Sequence, residues 1–276
     1  MRFKEGTWAA DSLVNITHIN QKSLLDDLAL RAEEGRGFLV ATLNLDHLVK
    51  LRRDATFRAA YERHSHVVAD GNPIVWLHRL AGERIDLITG SDLVEPVLEL
   101  ARDRRIPVAF LGSTQQTLDG AASRLAERYP GLEVVARIAP DFGFDPNGVE
   151  ADQAIKRIEG SGAGLCLLAL GAPKQEIFAA RAADALPRCG FISVGAGLDF
   201  IAGTQRRAPL LWRKLALEWL WRLSRDFHRL ARRYRDCALI LPGLFGAALR
   251  VRVERRYASF KDISGSPRVD RTKSYD

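Results

Sequence analysis

Three cysteines, Cys166, Cys189 and Cys237, are too few and too widely spaced for a disulfide framework or a cysteine-type zinc site. They read as reduced thiols, two of them in apolar segments. No two aspartates are separated by a single residue, so there is no D-x-D clamp for a metal-bound nucleotide diphosphate. The patterns H-E-x-x-H, G-x-x-x-x-G-K-[ST] and G-x-S-x-G are missing, and no G-x-G-x-x-G follows a first strand. These absences count against metal-dependent nucleotidyl chemistry, P-loop hydrolysis and the serine mechanism of α/β-hydrolases. Internal repeats and low-complexity segments are also lacking. Near the N-terminus, Arg2, Lys4, Glu5, Asp11, Asn15 and His18 interrupt any stretch that would resemble a signal peptide, so secretion is not expected. The apolar run at 237–249 (CALILPGLFGAAL) is too short to span a bilayer and is broken by Pro242 and Gly243. It is suited to dip into one leaflet or to dock on protein.

What remains is an ordinary globular composition. The chain has 276 residues, 47% hydrophobic and 27% charged, enough to bury a sizeable core. Its net charge of +7 is unevenly placed. Residues 203–276 hold 18 Lys/Arg against 7 Asp/Glu, a net of +11, which leaves residues 1–202 at −4. A mildly acidic body with a strongly basic tail points to an anionic partner, nucleic acid or a lipid surface.

Strand and helix signals alternate from residue 13 to about 202. Strands are expected at 13–19, 37–43, 66–69, 107–111, 133–138, 164–170 and 190–194. Helices are expected at 23–34 (capped by Asn20 or Ser23), 45–63, 73–80, 91–102, 115–129, 149–159 and 174–183. Continuous apolar strands separated by helices of this length indicate an α/β fold with a parallel sheet covered on both faces. Such sheets bind ligands at the carboxyl ends of their strands. The polar and glycine-rich turns after the strands, at Thr42-Leu43-Asn44, Asp70-Gly71-Asn72, Leu111-Gly112-Ser113, Gly171 to Glu176 and Gly195 to Asp199, therefore converge on one edge.

Several residues there suit chemistry. Gly171 permits a tight turn, and the helix start after Pro173 offers free N–H groups and a dipole to a phosphate, with Lys174 or Gln175 adding a side-chain contact. The same pattern also fits a plain strand-to-helix turn. Asp70 ends the apolar run His66-Val67-Val68-Ala69, where a carboxylate with a pKa raised by burial accepts a proton from a substrate hydroxyl; the alternative is a helix cap. Thr42 and Asn44 are hydrogen-bonders at the neighbouring strand end, unless Asn44 caps the next helix. Asp199, after Gly195 and Gly197, holds a similar position, and those glycines allow close approach of a ligand or serve a tight turn. His47, His64, His66 and His78 crowd one stretch of sequence, as metal ligands or, more commonly for such residues, as core and helix-surface histidines.

In the tail, Trp212, Ala216, Trp219, Leu223, Phe227, Leu230 and Tyr234 recur at spacings of three and four, a single helical stripe. Residues 203–235 carry ten Arg/Lys against Glu218 and Asp226. A basic helix with tryptophans on its apolar side suits a membrane interface. With the apolar run that follows, it favours an anionic membrane surface over nucleic acid; an amphipathic helix packed on the body is the other reading. The polar residues 261–276 read as a disordered tail.

Together these motifs resemble the WecG/TagA/CpsF glycosyltransferase family (family 26). The matching residues are Thr42-Leu43-Asn44, Val68-Ala69-Asp70-Gly71, Thr89-Gly90-Ser91-Asp92-Leu93, Phe110-Leu111-Gly112, Leu170 to Glu176, Gly195 to Phe200, Gln205 to Pro209 and Leu217-Glu218-Trp219-Leu220. They stand in the family's order across residues 13–235. The resemblance implies a Rossmann-like α/β body at 1–202, a membrane-associating appendage at 203–260, and inverting, metal-independent transfer without a cofactor. The sugar, N-acetylmannosamine, N-acetylmannosaminuronate or glucuronate, would pass from a UDP-sugar to a polyprenyl-diphosphate-linked saccharide on the cytoplasmic face of the membrane. Carried over by position, Asp70 is the general base. Thr42, Asn44, Gly112, Gly171, Lys174, Gln175 and Asp199 belong to the pocket, and Arg222, Arg229 and Arg232 close over it onto the diphosphates. One departure is Leu87, where the family usually has arginine; Arg84 lies three residues earlier. The competing classes are a non-catalytic nucleotide-sugar-binding or scaffold protein and a nucleic-acid-binding α/β protein, and self-association into a homo-oligomer is left open.

Overall fold

The computed structural model describes residues 14–264. Six strands form one all-parallel sheet in the order β2-β1-β6-β5-β3-β4. In chain order the elements are α1 (Gln21–Glu33), β1 (Phe38–Leu43), α2 (Leu45–Arg53), α3 (Ala55–Glu62), β2 (His66–Ala69), α4 (Asn72–Leu80), α5 (Gly90–Asp103), β3 (Val108–Gly112) and α6 (Gln115–Arg128). There follow β4 (Val134–Ile138), α7 (Val149–Ser161), β5 (Leu165–Ala169), α8 (Lys174–Ala185), β6 (Gly190–Ser193), α9 (Gly197–Ala202), α10 (Leu210–Lys214), α11 (Glu218–Arg225) and α12 (Phe227–Ser264).

The pleat explains the apolar runs. Val40, Val68, Phe110, Leu167 and Ile192 pack on one face with Leu93, Val97 and Leu118 of α5 and α6. Ala41, Leu43, Val67 and Ala69 on the other face join the packing of α2 to α4, while Leu111, Leu168 and Phe191 pack with Phe178 and Ala179 of α8. With both faces covered, alternation disappears from the central strands and survives only in the edge strand β4. Gly112 is fixed by backbone crowding: a Cβ there would meet the Ala169 carbonyl carbon and oxygen at 2.4 Å, and its φ of 118° disfavours any side chain.

Four sequence expectations are corrected. Residues 14–20 form no strand; Thr17 is tied to β2 through its N–H on the Val67 carbonyl (2.9 Å) and through its hydroxyl. The helix expected at 45–63 breaks in two because the Asp54 side chain accepts the Phe57 N–H and caps a new start. The single stripe at 212–234 is divided among α10, α11 and α12, with Ala216 at φ +60° between the first two. Pro242 does not end the last helix, which runs on to Ser264, four residues into the tail read as disordered; residues 265–276 lie outside the described residues.

Helix α12 docks on the body. Leu244 and Ala248 join the cluster of Leu51, Ile74 and Leu77 from α2 and α4. Ion pairs Arg233–Asp46 (3.1 Å), Arg53–Asp236 (2.7 Å) and Arg255–Glu83 fasten its length. The apolar run at 237–249 thus buries Cys237, Leu244, Ala247 and Ala248 against protein. No described helix is long and apolar enough to cross a membrane.

Candidate active site

The turns after β1, β2, β3, β5 and β6 lie along one edge of the sheet, because parallel strands all point their carboxyl ends the same way. Asp70 follows β2, its N–H donating to the Leu43 carbonyl at 2.7 Å. Its half-buried carboxyl is pushed up to about 6 by burial, raised further by Glu218 and Asp92, and held down by Arg222 and by a hydrogen bond from the Thr42 hydroxyl. Thr42 is buried on β1, two residues before Asn44. A carboxyl in this range is ionised in most molecules at neutral pH yet basic enough to take a proton.

Arg222 on α11 acts on this carboxylate through its charge, while its guanidinium pairs with Glu218 one turn earlier. Arg207 adds a second positive field on Asp70. It donates to Asp92 Oδ1 at 2.6 Å and Thr89 Oγ1 at 3.4 Å, and its guanidinium lies 5.9 Å from the Phe200 ring centre. Asp92, Arg207 and Glu218 were not singled out as site residues from sequence, although each lies in a motif quoted there. The signal available was the joint appearance of a Thr-Gly-Ser-Asp turn and an Arg-Arg-Ala-Pro turn in one chain. The cation of the Thr89–Asp92 turn comes from Arg207, while Leu87 and Arg84 are exposed.

Other expected site residues take internal roles. The Asn44 side chain caps α2 by accepting the His47 N–H at 3.1 Å, and its Cβ sits beside Gly71. Gln175 is 3% exposed: its Oε1 accepts the Gly171 N–H (3.2 Å) and its Nε2 donates to Glu176 Oε1 (2.8 Å). At the start of α8 the Gln175 N–H donates to the Gly171 carbonyl, and the buried Glu176 carboxyl accepts its own backbone N–H. The helix N-terminus expected to meet a phosphate therefore already has a protein carboxyl in its first turn, pushed up to about 7 by burial. Gly171 itself, at φ +73°, faces open space, with half-exposed Lys174 three residues on. Asp199 accepts from Ser113 Oγ at 3.0 Å, joining the ends of β3 and β6. Arg232 stands exposed on α12; the side chain of Arg229 lies outside the described residues.

One chain of contacts around the buried Asp46 links the appendage to the Gly171 turn. Arg233 pairs with Asp46 (3.1 Å), Asp46 with Lys50 (2.6 Å), and Lys50 donates to the Ala172 carbonyl at 2.8 Å. The four histidines close in sequence do not converge on one site, although His47 and His64 share contact with Tyr61. His47 packs on Phe57 and Tyr61, His64 stacks on Tyr61, His78 pairs with Glu83, and His66 turns to Asp27 and His18.

A family model described as "Glycosyl transferase WecG/TagA/CpsF family" matches residues 12–258. A curated relative is the N-acetylglucosaminyldiphosphoundecaprenol N-acetyl-beta-D-mannosaminyltransferase of Staphylococcus aureus (strain MW2), 30% identical over 169 residues. That alignment covers 61% of this chain and 64% of the relative, so the chain spans less than two thirds of the relative's length.

Proposed function

Because the chain belongs to the glycosyl transferase WecG/TagA/CpsF family, we propose that it moves an N-acetylmannosamine-type sugar from a UDP-sugar to a polyprenyl-diphosphate-linked saccharide. The relative's name supports the acceptor class and the sugar; the nucleotide, the inversion and the metal independence are the family resemblance extended to this site. Asp70 is the observation that carries the reading, a half-buried carboxyl raised to about 6 and faced by a cation from the appendage.

In the proposed reaction the Asp70 carboxylate takes the proton of the acceptor hydroxyl. That oxygen attacks the anomeric carbon from the face opposite the nucleotide, and the carbon–oxygen bond to UDP breaks with its electron pair on the diphosphate. Arg222, with Arg229, Arg232 and Lys174, neutralises the charge that develops there, the task a divalent ion performs in D-x-D enzymes. Thr42 holds Asp70 in place, and Asn44, Gly112, Gly171, Gln175 and Asp199 shape the turns around the donor.

A lipid-linked acceptor calls for peripheral contact with an anionic membrane, on the cytoplasmic side where UDP-sugars are found. The exposed apolar residues support this. Leu210, Leu211, Trp219 and Phe227 face outward on α10, α11 and the start of α12, with Leu215 exposed just after α10. Along α12, Leu239, Phe245, Leu249 and Val253 form an exposed stripe on the side opposite Leu244 and Ala248, flanked by exposed Arg232, Arg235, Arg250 and Arg256. Each such cation near an anionic surface contributes about 1 kcal/mol.

The test is incubation of the full chain with a panel of UDP-sugars and a short-chain lipid-diphosphate N-acetylglucosamine. Transfer of N-acetylmannosamine with inversion supports the reading. Binding of the donor without turnover on any acceptor sugar would favour a non-catalytic nucleotide-sugar-binding protein.

A further inference from the structure

At the sheet edge opposite Asp70, where β2 begins, three side chains from separate segments converge. They are His18 ahead of α1, Asp27 within α1 and His66, the first residue of β2. One ligand atom of each lies within 4.8 Å of the others. His66 Nε2 is 2.6 Å from Asp27 Oδ2, His18 Nε2 is 3.9 Å from the same oxygen, and the two imidazoles stack at 4.9 Å. A tetrahedral zinc ion with ligand bonds of about 2.0–2.1 Å keeps its donors roughly 3.3 Å apart. Opening the His66–Asp27 separation by about 0.7 Å, and drawing the His18 nitrogen in by about 0.6 Å toward Asp27 and by up to about 1.5 Å toward His66, would seat the ion among them.

Each of the three groups has a partner that fixes its orientation. Thr17 Oγ1 accepts the Val67 N–H (2.8 Å) and lies 3.2 Å from the Val67 carbonyl and 3.0 Å from His18 Nδ1; with its proton on the carbonyl it accepts from His18 Nδ1–H. The His18 Nε2 lone pair is thereby left free on the Asp27 side. Ser65 Oγ repeats the arrangement, 3.3 Å from the Leu39 carbonyl, 3.0 Å from the Leu39 N–H and 2.8 Å from His66 Nδ1. Without an ion, His66 Nε2–H donates to the Asp27 carboxylate at 2.6 Å; when Ser65 Oγ turns its proton to the Leu39 carbonyl it accepts from His66 Nδ1–H, the tautomer that leaves Nε2 free to ligate a cation. Arg31 Nε holds the carboxylate at 3.0 Å. Hydroxyl-anchored imidazoles and a hydrogen-bonded carboxylate are the supporting shell that metal ligands require.

We propose that His18, Asp27 and His66 bind one zinc ion, with a water as fourth ligand, which fastens the segment at 14–20 and α1 to β2. Two neutral imidazoles and a carboxylate suit zinc in donor type. Asp27, with its side chain 31% exposed, leaves the fourth position open to solvent. The site takes no part in the reaction at Asp70, so its existence stands or falls separately from the proposed transferase activity.

The test is titration of the tag-free, chelator-stripped full chain with ZnCl2 by calorimetry, with CoCl2 as a spectroscopic stand-in and thermal melting alongside. Wild type should bind one equivalent, show the intense visible bands of tetrahedral cobalt and melt at higher temperature with zinc. H18Q and D27N should each weaken binding by at least about tenfold. Metal-free H18Q should melt close to wild type, and H228Q at the exposed His228 should bind as wild type. Absence of stoichiometric binding by wild type, or equal binding by H18Q and D27N, would overturn the proposal.

Discussion

Arg222 in α11 holds down the carboxyl of Asp70 at the end of β2, against the burial that raises it. The appendage and the body thus meet electrostatically at the residue proposed to carry the chemistry. Arg222→Ala removes that restraint and a cation from the diphosphate. We expect kcat/KM to fall about 10²- to 10³-fold, and the acid limb of its pH profile, near 6 in the wild type, to move to higher pH. An unshifted limb would separate Arg222 from Asp70.

Glu176 carries an ordinary carboxyl value of 4.5 up to about 7 on folding. The folded state binds its proton more tightly than the unfolded chain, so the penalty is absent below pH 4.5 and grows until about pH 7. Glu176→Gln keeps an acceptor for the Gln175 amide and removes the penalty. The variant should be more stable than wild type by about 1–3 kcal/mol at pH 8 and equal to it near pH 4. Melting curves at the two pH values decide this; equal melting temperatures at pH 8 would contradict it.

How much of this was legible in the residues varies along the chain. The central strands announce themselves because both sheet faces are covered, and His66–Ala69 is strand to the residue expected. Asp70 was readable from one apolar run ending in a carboxylate. The strand expected at 13–19 failed because Thr17 bonds β2 mainly through its hydroxyl, which no apolar pattern encodes. Asn44 was read either as a ligand contact or as the cap of the next helix, and it is the cap, whereas the bridging of Gln175 to Gly171 and Glu176 has no signal in the residue pattern. The tail's stripe followed the 3.6 period through Ala216, where the backbone turns left-handed. Pro242 looked like a stop, yet α12 continues because burial of Leu244 and Ala248 rewards the turn beyond it.

The two faces of α12 should respond oppositely. Leu244, fully buried, loses packing as alanine, and Leu244→Ala should cost about 2–5 kcal/mol in denaturant unfolding. A cost under 1 kcal/mol would mean that the helix does not dock as described.

On the outward face, the double variant Leu239→Glu, Phe245→Glu should leave stability within about 0.5 kcal/mol and lower sedimentation with anionic vesicles. Since both side chains are exposed, undiminished vesicle binding would place membrane contact elsewhere.

Single-turnover transfer by Asp70→Asn, run beside a donor-binding titration on the same sample, bears most directly on the role of Asp70. The amide cannot take the acceptor proton, so the rate should drop by about 10²- to 10⁴-fold while donor affinity holds. Transfer at a near wild-type rate would remove Asp70 as the base.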